Sequence, residues 1–182
     1  MKTNDYSPRS PRLVEEETVI HIHDPSSHSD SMRLFQWWME LVETGDIERT
    51  FYPTAHPLGP FMALFNGASK TQLIYSTNSH DRIQLAVWGE LVAPGVLFFS
   101  LWANASIRHT KRGVQMVLDI YRQLFNIFHV LCGITKQERL LKTHVKLGYQ
   151  IISKIPLLWG GVEDGWLMLL TKENFYTACG RE

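Results

Sequence analysis

From Val114 to Phe128, the apolar residues Val114, Val117, Leu118, Tyr121, Leu124, Phe125 and Phe128 recur at intervals of three and four, which places all seven on one helical face. A second apolar run follows at once, Phe128 to Ile134, with the length of a buried strand. A strong helix that feeds directly into a buried strand constrains the rest of the chain: it is one half of a strand–helix–strand unit, and strands are needed on both sides of it.

Those strands can be read on either side. Upstream, Thr71 to Tyr75, Arg82 to Leu91 and Gly95 to Ala103 are rich in β-branched and aromatic residues and are separated by turn residues, Asn78 and His80 in the first gap and Pro94-Gly95 in the second. This spacing predicts an antiparallel meander. Thr18 to His23 alternates polar and apolar residues like a half-buried strand. A helix is expected over Met32 to Val42, capped by Ser29 or Asp30 and ended by Gly45, with Met32, Phe35, Met39 and Val42 as its inward stripe and Trp38 and Leu41 widening it. Asp46 to Pro60 reads as a loop, and Phe61 to Phe65 as one short helical turn. Downstream come a helix over Lys136 to Leu147 stopped by Gly148, a strand over Tyr149 to Ile155 closed by Pro156, a loop holding Gly160-Gly161, and a strand over Trp166 to Thr171. The order predicts an α/β domain, a central mixed sheet with helices on both faces, over residues 18–176, followed by a short C-terminal tail, 177–182.

Residues 1–17 differ in kind. Two Ser-Pro-Arg steps and a run of three glutamates leave too few large apolar groups to offset the entropy of ordering, so this stretch reads as an extended tail that a protein partner in an assembly would hold. Charge is balanced, 18 Lys+Arg against 18 Asp+Glu, which argues against specific nucleic-acid binding through phosphates. No apolar stretch reaches the roughly 20 residues of a membrane-spanning helix, and no apolar leader is visible at the N-terminus. The two cysteines, Cys132 and Cys179, have no zinc or redox spacing. His21, His23, Asp24 and His28 lack the further Cys or carboxylate ligands a metal centre would need, so no metal is expected.

The segment His144-Val145-Lys146-Leu147-Gly148-Tyr149 resembles the "Y-E-K-L-G-F" segment of GNAT N-acetyltransferases, in which glycine ends a helix and an aromatic opens the next strand. The element order resembles that family over Thr18 to Thr171, and the local motifs do so from Ile107 to Thr171. A narrower likeness, through Arg139-Leu140-Leu141-Lys142-Thr143, is to GNAT-like internal core and virion proteins of T7-like bacteriophages. The resemblance implies the acyl-CoA N-acyltransferase fold, acetyl-CoA as cofactor, and a location in a host cytoplasm or a virion.

It also implies a site. Arg108, His109, Lys111, Arg112, Gly113 and Val114 stand where the family cradles the CoA diphosphate on backbone amides at a helix N-terminus. Thr110 and Gln115 depart from the family pattern there, and a Gln115 side chain could block the approach of phosphate. His144 stands at the family's acid position, normally a tyrosine, and Glu90 is the carboxylate expected to act as base. The family's asparagine at the start of the helix after the buried strand is missing, with Gln137 near it. Two readings follow from these altered signatures: an acyl-CoA-dependent N-acetyltransferase, or a fold kept as a structural part of a virion or another assembly.

Overall fold

A computed structural model describes residues 19–47, 59, 61–62, 66, 71–159 and 163–180. The expected tail at 1–17 and most of the proposed turn at Phe61 to Phe65 lie outside the described residues.

Seven strands form one sheet: β1 (Val19–Ile22), β2 (Thr71–Thr77), β3 (Ile83–Ala93), β4 (Val96–Ala103), β5 (Val130–Thr135), β6 (Gln150–Trp159) and β7 (Glu163–Thr171). Their spatial order is β1-β2-β3-β4-β5-β7-β6. Every neighbouring pair is antiparallel except β4 and β5, which are parallel. Among the described residues, these helices accompany them: α1 (His28–Thr44), α2 (Lys111–Ile127), α3 (Glu138–Lys146) and α4 (Lys172–Cys179). α2 is the crossover that the parallel pair β4 and β5 requires, since a hairpin cannot join parallel strands.

Alternation along the strands sends side chains into two cores. Leu73 and Tyr75 of β2, Ala86 of β3 and Trp102 of β4 face α1, which covers them with Leu34, Trp37 and Leu41. Ile74, Leu85, Val87, Leu97, Phe99, Leu131, Met168 and Leu170 face the other way, onto Met116, Ile120, Tyr121, Leu124 and Phe125 of α2 and Phe175 of α4. The mixed sheet with helices on both faces is therefore present.

The rotation of α1 differs from the expected one. Met32, Phe35, Met39 and Val42, read as the inward stripe, are all exposed, between 41% and 51%. Two stripes of helical spacing coexist in this helix, and tertiary contacts choose between them. Trp37 packs edge-on against Trp88 and Trp102 of the sheet. One turn N-terminal to Leu34, on the same face, buried Asp30 accepts hydrogen bonds from the Tyr75 hydroxyl and from Arg33, both at 2.8 Å. Ionic and aromatic anchors on the Asp30–Leu34–Trp37–Leu41 face outweigh the apolar content of the other. The cap also moves: Ser27 is the N-cap, its hydroxyl accepting from the Asp30 amide.

Other boundaries shift for local reasons. β6 runs on through Pro156, which an edge strand tolerates because no partner needs its missing N–H. α4 extends past the domain edge expected at residue 176; Thr171 caps it by accepting from the Asn174 amide, and Phe175 is wholly buried against Tyr121 and Phe125.

Gly148 ends α3 at a φ of +94°, and a Cβ there would lie 2.6 Å from the Asn174 carbonyl oxygen of α4. Gly45 ends α1 at a φ of +68° with open space around it. Gly148→Ala combines backbone strain with a collision against main chain, so it should destabilise the fold by more than about 2 kcal/mol, whereas Gly45→Ala should cost only about 1 kcal/mol. Urea unfolding midpoints of the two variants measure this, and equal losses would contradict the close packing of α4 on the α3 terminus.

Candidate functional site

The parallel contact between β4 and β5 is short. Val96, Leu97 and Phe98 pair with Val130, Leu131 and Cys132, and there the register ends, although β4 continues to Ala103 and β5 to Thr135. Both strands run the same way, so past Phe98 and Cys132 they diverge into a wedge-shaped cleft. Backbone groups on the β5-facing edge of the continuing β4 have no ladder partner in β5 and can accept an extended, amide-bearing ligand as another strand would. Gly133 lies at the apex: a Cβ at that position would stand 3.4 Å from the Phe99 carbonyl oxygen. That is ordinary van der Waals contact, so the Phe99 main chain and ring pass close above Gly133.

At the far end of β4, residues 104–110 turn the chain into α2. Asn104 shapes the turn by accepting from the Ser106 amide at 2.9 Å on its side chain and from the Ile107 and Arg108 amides at 3.1 Å on its carbonyl. His109 adopts a left-handed φ of +64°, a strained conformation for a residue with a side chain. Thr110 then caps α2: its hydroxyl oxygen accepts from the Gly113 amide at 3.0 Å and its carbonyl from the Val114 amide at 3.2 Å. The hydroxyl in turn donates to the Ile107 carbonyl at 2.8 Å. The cap reaches neither Lys111 nor Arg112, and the Lys111 amide has no partner among the described residues. α2 therefore presents its positive end at the edge of the cleft with an unused donor and the exposed Lys111 side chain beside it.

Three residues expected to hold phosphate do different work. Gly113 is buried, and a Cβ there would collide with the Ile107 carbonyl oxygen, so glycine is required for the helix to close on its own turn. Its amide is consumed by Thr110. Arg108 donates from Nε to the Ala103 carbonyl at 2.6 Å and from Nη2 to Asp46 at 2.9 Å. Val114 is exposed, with its amide also bonded to Thr110. Gln115, expected to obstruct the turn, points along the helix instead and donates to Asp119 at 2.9 Å.

Glu90 and His144 are not brought together. Glu90 pairs across the sheet with Phe98, which pairs with Cys132, then Leu169, then Gln150, so its side chain shares the α1 face with them. His144 packs edge-on against Tyr149, ring centroids 5.3 Å apart, on the α2 face. Glu90 is exposed, while His144 is half-buried. The imidazole Nδ1 lies 2.8 Å from the Leu140 carbonyl oxygen, an acceptor only, so Nδ1 carries the proton and Nε2 holds the lone pair. Burial lowers the His144 pKa below its ordinary value, the bond to Leu140 partly opposing it. A neutral ring of this tautomer is a proton acceptor, the reverse of the expected acid role.

A pair of buried tyrosines was not anticipated as part of the site. The Tyr149 hydroxyl donates to that of Tyr121 at 2.8 Å, and Tyr121 packs edge-on against Phe99 of β4. Burial pushes the Tyr121 hydroxyl up to about 12 and raises Tyr149 as well. Both had been readable as core aromatics; the signal missed was that two buried phenols need partners and can satisfy each other.

Among the described residues, no group of three His, Cys, Asp or Glu side chains could hold a metal ion. His21 instead bonds the Thr77 hydroxyl and stacks on Tyr75, and Asp24 is engaged by Ser26. No helix of the described residues is long and apolar enough to cross a membrane.

No family model and no curated protein sequence matches the chain. Solved structures do. Spermidine N-acetyltransferase from Vibrio cholerae, in complex with CoA and spermine, superposes with a TM-score of 0.67 at 8% identity, over 87% of this chain and 97% of that one. A structure assigned to the GNAT acetyltransferase family from Desulfovibrio desulfuricans gives 0.61 at 10% identity, over 85% and 99%. At these identities the likeness establishes the GNAT fold. The narrower likeness to phage proteins, and with it a place in a virion, draws no support from these structures.

The direction of the His144 shift has a consequence for stability. Its pKa is lowered in the folded chain from an unfolded value near 6.5, so the unfolded state binds the proton first, and stability falls as pH drops below about 6.5 towards the folded pKa. His21, also lowered by burial, acts in the same sense. His144→Phe should flatten part of this decline between pH 7.5 and 5, read as urea midpoints at each pH. A wild-type slope retained in full would mean that His144 is not held neutral.

Proposed function

We propose, from the GNAT fold and the cleft it opens, that this chain is an acyl-CoA-dependent N-acyltransferase. The observation that carries the reading is the divergence of β4 from β5 after three residue pairs, with the N-terminus of α2 at the end of the same strand. The donor set fits such a ligand. An unused amide and a lysine suit a diphosphate, and an unpaired strand edge suits the amides of a pantetheine arm. Spermidine N-acetyltransferase, which shares the fold, is described in complex with CoA.

In this reading the Lys111 side chain and its unused amide, at the N-terminus of α2, bind the diphosphate. Gly113 and Thr110 keep that turn closed, and the free edge of β4 from Phe99 onward orients the arm. Acetyl-CoA supplies an activated acyl group as a thioester, open to attack by an amine. His144 accepts at Nε2 the proton that the attacking amine must lose, its ring held by the Nδ1–H bond to Leu140. The protonated ring can then return that proton to the departing sulfur. The Tyr121–Tyr149 pair braces the imidazole from the core side. Glu90, on the opposite face, stands outside this path.

Calorimetry with CoA tests the proposal. Saturable binding in the micromolar range, with a matching rise in melting temperature, is expected. Lys111→Glu should weaken it by about tenfold, because it places a negative charge against a diphosphate at the helix terminus. Gly113→Ala cannot serve here, since its Cβ would disrupt the turn whether or not CoA binds. Absence of CoA binding by the wild-type chain would overturn the reading.

A further inference from the structure

We propose that Arg108 and Asp46 are positioning residues of the turn before α2, an ion pair that sets the shape of the anion cradle while the guanidinium itself stays off the phosphates. The inference rests on the acyl-CoA reading of the site.

An arginine beside an anion-binding helix terminus would ordinarily be taken as a phosphate ligand. Its geometry here says otherwise. Nε donates to the Ala103 carbonyl, the last of β4, at 2.6 Å, and Nη2 donates to Asp46 at 2.9 Å. Two acceptors fix a rigid planar fork in one orientation. The Asp46 side chain is 16% exposed and that of Arg108 36%, so the pair is partly withdrawn from solvent and the carboxylate offsets the guanidinium's charge.

The location of Asp46 explains what the pair does. It follows Gly45, the residue that ends α1, so the contact ties the α1 terminus to the end of β4. A second strap lies one and a half turns earlier on α1, where Glu40 accepts from the Asn104 side chain at 2.6 Å. A third joins Ser106 to Gln84 of β3 at 3.2 Å. All three pull the turn towards the α1 side of the sheet. They hold residues 104–110 in the conformation that includes the strained His109 and that aims the first amides of α2 outward.

The alternative, Arg108 as a phosphate ligand restrained by Asp46, predicts effects of opposite sign, so affinity for CoA separates the two. Calorimetry would compare the full chain with Asp46→Asn, Arg108→Gln, Arg108→Lys and the Asp46→Asn/Arg108→Gln double variant, at low and high ionic strength. For a positioning pair, each single variant weakens CoA binding by about tenfold, and the double variant is no weaker than either single. Arg108→Lys fails to rescue, because an ammonium cannot reach both acceptors, and the ionic-strength dependence in Arg108→Gln stays as in the wild type. Tighter binding by Asp46→Asn, rescue by Arg108→Lys, or a reduced salt dependence in Arg108→Gln would each overturn the inference and leave the acyl-CoA reading standing. A wild-type chain that does not bind CoA would remove both. If a harsher variant loses its fold, Arg108→Lys and Asp46→Asn, the gentlest changes, still decide the question.

Discussion

The architecture turns on three residue pairs, Val96–Val130, Leu97–Leu131 and Phe98–Cys132, the one parallel contact among the described strands. They join a four-stranded antiparallel unit, β1 to β4, to a three-stranded one, β5 with β7 and β6. Leu97 and Leu131 are fully buried beneath α2, so the joint is closed by apolar burial as well as by main-chain hydrogen bonds. Because the contact is parallel, the strands must be linked by a crossover, and the crossover must begin near the end where they part. The cleft and the helix terminus beside it are thus consequences of one topological fact, present before any side chain is chosen for chemistry.

Side chains then decide what the cleft can do, and several serve packing first. Gly113 meets the requirement of a helix closing on the Ile107 carbonyl, and Thr110 uses both its oxygens to cap the same turn. A capping threonine satisfies donors of the first turn, which stabilises that turn and leaves its first position as the free donor. In the acyl-CoA reading, the altered motif is a turn with fewer free donors rather than a damaged one.

Much of the fold was legible because hydrophobic period and turn chemistry agree over most of the chain. The α2 helix, the Pro94-Gly95 turn and the helix stop at Gly148 each follow from local rules and are present, although the α2 face is rotated at its start: Val114, read into the stripe, is exposed, while Met116 and Ile120 are buried. Where local signals competed, the sequence was ambiguous. α1 carries two apolar stripes, and the choice rests on Asp30 meeting Tyr75 and Trp37 meeting Trp102, contacts between residues 45 and 65 positions apart. α4 was missed because its single wholly buried residue, Phe175, gives no periodic signal, although Thr171 is an ordinary cap. At the turn before α2, the motif marks a place in the chain but not the work of each residue. Which acceptor Arg108 faces depends on Asp46, 62 positions away, and no local pattern contains that distance.

His144 illustrates how position and chemistry separate. Replacing a phenol by an imidazole at one helix position would leave a donor a donor if the ring were exposed and cationic. Here the preceding turn offers a carbonyl, Leu140, that takes the Nδ1 proton, and burial against Tyr149 disfavours a second one. The same two influences that hold the ring in place also choose its tautomer and leave it neutral, so a side chain that the resemblance reads as an acid has the properties of a base. In the proposed acyl transfer the leaving sulfur needs a proton, and the buried hydroxyls of Tyr121 and Tyr149 are raised too far by burial to be better donors than an imidazolium. A single residue that first takes the proton and then returns it is the scheme these three environments allow together.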